Sequence, residues 1–229
     1  MSMNEGHRQR VKNRFLAEGL DAFEEVHVLE LLLFYCIPQS DTKPLAKQLL
    51  AHFGSLSQVL EASPEELQRI KGVKAHTSTF LNLITAVSRY YQVHRTSQAT
   101  VLNTIEKCGQ YLLPYFIGRP IETVFLLCMD AKCKVLCCRE VGTGSINSAS
   151  ISIRKIVEIA LGVNATTVIL SHNHPGGLAL PSGDDVLTTR KVAAALQSVE
   201  IVLADHIIIA DDDYVSLIQS GLYRMGETE

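Results

Sequence analysis

The sequence predicts an all-α segment over residues 1 to about 97, followed by an α/β domain from about 101 to 229. Three observations carry this prediction. The first segment places apolar residues at helical spacing between short turns. The second alternates helical patterns with short β-branched runs. Between them, His94 to Thr100 is polar and has no apolar periodicity.

The length fits one large domain or two small ones. The chain has 229 residues, of which 47% are apolar, enough for packed cores. No apolar run approaches the roughly 18 to 20 residues of a membrane span; Val28 to Cys36 is short and interrupted by Glu30. Met1 to Arg14 is polar and partly basic, unlike a signal peptide, so a cytoplasmic protein without membrane contact is expected. The net charge of −3 argues against a global basic field for nucleic acid. Arg8, Arg10, Lys12 and Arg14 form a local basic stretch, read as the solvated face of a first helix. Six cysteines occur without CxxC spacing, four of them between Val124 and Cys138, which fits buried free thiols in a reducing compartment.

In the first segment, Glu24 to Tyr35 and Asp41 to Phe53 read as amphipathic helices, the second stopped by Gly54. Ser63-Pro64-Glu65-Glu66 is a helix start, with a capping serine and proline at the first position. That helix ends over Ile70 to Lys74, and another runs from about Thr77 to Tyr91. Leu67 to Ala86 therefore has the outline of a helix-hairpin-helix. In that motif the turn amides at Lys71, Gly72 and Lys74 would face a DNA phosphate without reading sequence. An αα-hairpin that merely closes a small bundle has the same outline.

In the second segment, Asn103 is expected to cap a helix to about Leu113. Strands are expected at about Glu122 to Asp130 and Lys134 to Val141, and Ser152 should cap a helix through Leu161. Thr166 to Ser171 reads as a buried strand, Asp184 to Gln197 as a helix, and Ile201 to Ala210 as a strand before a turn and a last short strand.

The chemistry concentrates after the Thr166 strand. On extended backbone, residues i and i+2 share a face, so His172 and His174 can present two imidazoles to one point. A loop from Pro175 to Pro181 returns the chain to Ser182, and Asp185 lies one turn into the next helix. Two imidazoles and a carboxylate, with a fourth position for water, suit a catalytic zinc. Ser182-x-x-Asp185 is equally a capping box, which needs no metal. For the general base, Glu140 ends an apolar strand before Gly142-Thr143-Gly144, whereas Glu158 lies mid-helix and reads as a surface residue. Asp205 and His206 point to opposite faces of their strand, which fits either a support that accepts a ligand N–H or a satisfied polar pair.

Glu140, His172-x-His174, seven residues, Ser182, two residues and Asp185 together resemble the JAMM (MPN/JAB) metalloprotease signature, and the chain resembles the bacterial RadC family. The likeness covers about residues 7 to 223. It includes His7-Arg8, Leu29 to Tyr35, Lys43 to Ala46, Gly142 to Ser150, Arg154, Asn164-Ala165, His172 to Pro175 and Asp205-His206. Ser152-Ile153 stands where the family carries His-Pro. The resemblance implies a deaminase-like MPN/JAB fold with a mixed sheet flanked by helices. It also implies one Zn2+ per chain on His172, His174 and Asp185, with Glu140 as acid/base and Ser182 holding the oxyanion. The implied reaction is hydrolysis of an amide in a peptide or protein, cleaving a peptide or isopeptide bond. The alternative is a DNA-associated repair or accessory protein, or a nuclease, that meets DNA through its N-terminal domain. His172-Asn173-His174 is not an HNH nuclease motif, and no His-x-Glu with a downstream Pro-Cys-x-x-Cys points to a zinc deaminase.

Overall fold

A computed structural model describes residues 3–38, 40–95, 100–144 and 152–225. The chain divides into two compact units, Met1–Ser88 and Arg89–Glu229.

The first unit is helical among its described residues: α1 (Met3–Glu18), α2 (Glu25–Cys36), α3 (Lys43–Phe53), α4 (Leu56–Glu61), α5 (Pro64–Gln68) and the start of α6 (Ala75–Arg95). Its core gathers Leu29 and Leu33 of α2, Ala46 and Leu49 of α3, Val59 of α4, and Leu67 and Leu81. Gly54 ends α3 at φ 99°, its N–H bonded to Leu50 O, a conformation that costs glycine little. Helix α4 is an addition to the elements read from the sequence. It is too short to show a period, and Ser55 caps it by accepting from Gln58 N–H. The expected capping box at Ser63 and Glu66 opens α5, but α5 is only five residues long. Arg8 is not simply a solvated charge. Its guanidinium donates to Phe34 O, Ile37 O and Ser40 O, and so satisfies carbonyls left open at and beyond the end of α2.

The second unit contains α7 (Ile105–Phe116), α8 (Ile153–Gly162), α9 (Gly183–Gln197) and strands β1 (Thr123–Met129), β2 (Val135–Thr143), β3 (Thr167–Asn173), β4 (Val202–Ala210) and β5 (Asp213–Ser216). Thr104, not Asn103, caps α7: its side chain accepts from Lys107 N–H, while Asn103 accepts from Lys107 Nζ. The helix passes through Pro114 to Phe116. Ser152 caps α8 as expected. The Ser145 to Ser150 part of the glycine loop lies outside the described residues.

The strands form one mixed sheet in the order β2-β1-β3-β4-β5. β1 runs antiparallel to β2 and β3, β3 is parallel to β4, and β4 is antiparallel to β5. Alternation of side chains sorts the apolar residues into two layers. Val124, Leu126, Cys128, Val168, Leu170 and Ile208 pack against Ile156 and Ala160 of α8 and Val192 and Leu196 of α9. Phe125, Leu127, Met129, Ile169, Ile207 and Ile209 pack against Cys108, Leu112 and Phe116 of α7. All six cysteines are free thiols, with Cys108 and Cys128 buried. Among the described residues, no helix is long and apolar enough to cross a membrane.

Candidate metal centre

β3 brings the first ligand candidate. His172 pairs with Val124 of β1 and Ile208 of β4, on the face covered by α8 and α9. His174 lies just past the strand, and its N–H bonds Ile209 O at 2.8 Å, which extends the pairing and the alternation by one step. The two Nε2 atoms converge to 2.9 Å. Asn173 turns the other way. Its Oδ1 accepts from Thr123 N–H at 2.8 Å and its Nδ2 donates to Arg119 O at 3.2 Å, which pins the segment leading into β1. That segment carries Glu122, whose Oε1 lies 4.0 Å from His172 Nε2.

Asp185 enters from the first turn of α9. Its Oδ2 accepts from Ser182 N–H at 2.7 Å and from Ser182 Oγ at 2.6 Å, and its own N–H donates to Ser182 Oγ. Its Oδ1 lies 3.3 Å from His172 Nε2. The two readings of Ser182-x-x-Asp185 are therefore compatible, because the cap uses one carboxylate oxygen and leaves the other facing the histidines. Burial is graded across the group. The His172 and Asp185 side chains are 0% and 3% exposed, while His174 and Glu122 are 24% and 21% exposed. The buried pair forms the floor and the other two form an accessible rim.

The donor set fits a zinc ion. Tetrahedral zinc with bonds of about 2.0–2.1 Å spaces nitrogen and oxygen ligands roughly 3.3 Å apart. The contacts at 2.9 and 3.3 Å, with His174 Nε2 to Asp185 Oδ2 at 3.8 Å, bracket that spacing. His174 Nδ1 lies 3.1 Å from Leu178 O, and a carbonyl only accepts, so the proton sits on Nδ1 and the Nε2 lone pair points inward. Burial holds His172 below the ordinary imidazole range, and hence neutral, although the nearby Asp185 opposes this. Burial alone would raise Asp185, but the neighbouring His172 ring and the hydrogen bonds from Ser182 outweigh it and keep the group well below the usual carboxylate range. Neutral imidazoles and an ionised carboxylate are the forms that ligate metals. Glu122, His172 and His174 offer ligand atoms all within 4.8 Å of one another.

A family model described as a RadC-like JAB domain matches residues 102–222. The chain belongs to the RadC-like JAB-domain family. It is 34% identical over 226 residues to a UPF0758 protein of Fusobacterium nucleatum, covering 96% of this chain and 97% of that protein. It is 32% identical over 212 residues to a UPF0758 protein of Rhodobacter capsulatus, covering 93% and 99%.

Within the JAB domain, His172, His174, Ser182 and Asp185 come together, and Glu140 does not join them. Glu140 is the register partner of Phe125, on the sheet face opposite His172. There it is an exposed residue held by Arg119 at 2.9 Å, and the Arg119 guanidinium lies 4.8 Å over the Phe125 ring. Glu122 occupies the position expected of Glu140. The Ser182 hydroxyl hydrogen is directed at the Asp185 carboxylate, the contact of the capping box. Glu158 is an exposed partner of Arg154, as the sequence suggested. His206 and Thr189 stand behind His172 on the same face, with His206 Nε2 2.8 Å from His172 Nδ1. A single carboxylate before a strand gives no sequence signal for Glu122, because β1 becomes the neighbour of β3 only in the folded sheet. In the first unit, Lys71 and Lys74 are exposed on either side of Gly72, which has φ 102°.

Proposed function

We propose that the JAB domain is a zinc-dependent hydrolase that cleaves an amide bond in a peptide or isopeptide substrate. The observation that carries this reading is the convergence of His172 Nε2, His174 Nε2 and Asp185 Oδ1 with the rim carboxylate of Glu122 beside them. His172, His174 and Asp185 would hold the ion, three protein ligands being the number that leaves a position open for catalysis. Zinc, when bound, supplies Lewis acidity and lowers the pKa of a water towards about 7. Glu122 is the proposed acid/base: its carboxylate takes a proton from the attacking water and returns it to the leaving nitrogen. Its partial exposure suits both tasks, since it must meet solvent and substrate. Ser182 keeps Asp185 in position through the cap.

The test combines metal analysis with two variants assayed on a panel of peptide and isopeptide amides. The parent should carry one zinc per chain. Glu122→Gln should retain zinc and lose about 10²- to 10⁴-fold in rate, while Glu140→Gln should stay near the parent. A parent without stoichiometric zinc, or a Glu122→Gln variant as fast as the parent, overturns the mechanism.

A second reading concerns the first unit alone. Gly72 at positive φ, with exposed lysines at 71 and 74 and the 21-residue α6 beginning at Ala75, supports a phosphate-contacting turn. We infer that it binds duplex DNA without sequence preference, as salt-sensitive anisotropy weakened by Lys71→Ala and Lys74→Ala would confirm. Absence of binding at low salt removes this reading.

A further inference from the structure

We propose that His206 and Thr189 are positioning residues of the metal centre: they fix His172 in the one tautomer that offers Nε2 to a metal, and they tie that ring to the helical turn carrying Asp185. The inference rests on the zinc reading above.

The chain of hydrogen bonds fixes each proton in turn from its far end. Thr189 Oγ1 lies 2.6 Å from Asp185 O, and a carbonyl can only accept, so the threonine hydroxyl donates there. Thr189 Oγ1 also lies 2.6 Å from His206 Nδ1. With its hydrogen already committed, Thr189 accepts, and His206 Nδ1 carries the ring proton. A neutral imidazole has one N–H, so His206 Nε2 is an acceptor. At 2.8 Å from His172 Nδ1, it receives that ring's proton. The lone pair of His172 is left on Nε2, facing His174 and Asp185.

Each link has little freedom. His206 and Thr189 are both 0% exposed, so no solvent competes for their polar atoms. His206 is the register partner of Leu170 on the strand that carries Ile208, and Thr189 shares α9 with Val192, all three residues belonging to the apolar α8/α9 layer. The relay starts at one ligand and ends on the backbone of another. It therefore sets the register of α9 against β3 as well as the proton on His172.

Thr189→Val keeps the shape of the side chain and removes the acceptor, whereas Thr189→Ser keeps the hydroxyl. Losing the acceptor favours the Nε2–H form of His206, which can only donate to His172 Nδ1 and so moves the His172 proton onto Nε2. Two readouts apply: ring ¹⁵N shifts of His172 in metal-free protein, and zinc affinity by competition with a chromophoric chelator. Thr189→Val should shift the His172 tautomer and weaken zinc about 10- to 100-fold, and Thr189→Ser should restore both. If Thr189→Val fails to fold, His206→Gln, whose amide oxygen can accept from His172, should hold zinc more tightly than His206→Leu. An unchanged tautomer and zinc affinity in Thr189→Val, or equal affinity in the two His206 variants, overturns the proposal. A parent that binds no zinc defeats the zinc reading instead, and the ring shifts of the metal-free protein still decide the relay.

Discussion

Among the described residues two capping boxes open helices, and comparing them isolates what Ser182 does for Asp185. At α5, Ser63 Oγ accepts from Glu66 N–H at 3.2 Å, and the Glu66 carboxylate returns to Ser63 at 2.8 and 3.0 Å. At α9, the same exchange between Ser182 and Asp185 runs at 3.1, 2.6 and 2.7 Å. Replacing either serine by alanine removes an N-cap, which costs about 1 kcal/mol. The carboxylates then fare differently. Glu66 is exposed and exchanges its lost donor for water. Asp185 is 2% exposed, so its Oδ2 is left with one donor where it had two. An under-satisfied buried polar group adds about 1–3 kcal/mol. Ser63→Ala should therefore cost about 1 kcal/mol, and Ser182→Ala about 2–4 kcal/mol by the same accounting. Only the second should reach the metal, because rotation of the freed carboxylate carries Oδ1 away from His172; a loss of about 10- to 100-fold in zinc affinity is expected. Denaturant melts of the metal-free variants and chelator competition measure the two effects. If Ser182→Ala binds zinc like the parent, or is no less stable than Ser63→Ala, the cap and the ligand are not coupled and this account of Asp185 is wrong.

Two further predictions concern packing and pH. Burial raises the Asp205 carboxyl above its ordinary range, against the opposing bonds from Ser216, Ile218 and His206. A carboxyl whose folded pKa is raised contributes stability that is complete below the unfolded value near 3.9 and is lost as pH rises through the folded value. Asp205→Asn can keep the two backbone N–H bonds on Oδ1 and donate to Ser216 Oγ, so its stability relative to the parent should climb with pH above about 4, by at most about 1.4 kcal/mol per pH unit. Urea melts from pH 4 to 7 that show a constant difference would refute the burial argument. At Gly109 in α7, an added Cβ would lie 2.4 Å from the Tyr214 ring. The helix gains about 1 kcal/mol from alanine, but overpacking typically costs about 1–3 kcal/mol, so Gly109→Ala should lower the thermal midpoint, and Tyr214→Leu should relieve the loss. An unchanged or higher midpoint contradicts that close packing.

What could be read from the sequence was what the chain determines locally. His172 and His174 share a face because two residues of one extended segment must do so. Ser63, Gly54 and Ser182 mark helix ends because a cap involves only the next few residues. Thr104 for Asn103 is an error of one residue between two good capping types. The strand-bounded α/β pattern and the meeting of His172, His174 and Asp185 followed from such local rules. The strand order did not, because β1 meets β3 across about forty intervening residues, which contain β2 and α8.

Glu140 shows how one non-local detail can carry a candidate side chain to the other face of a sheet. Val124 pairs with Gly142, and regular pairing would then set Phe125 against Val141 and Leu126 against Glu140. Leu126 lies on the His172 face, so a regular ladder would turn Glu140 towards the histidines. The register slips by one between Val124 and Phe125, and Phe125 meets Glu140 directly. A single extra residue sends the carboxylate to the opposite face, where Arg119 takes it, and leaves Val141 packed in the α8/α9 layer. β1 and β3 pair without any such slip, so Val124 and His172 stay in step, and Glu122 is carried to the rim by the same strand. Which side of the sheet Glu140 faces thus depends on a bulge whose presence no spacing of residues announces. This is why Glu140→Gln and Glu122→Gln, chemically the same change, should part so widely in rate.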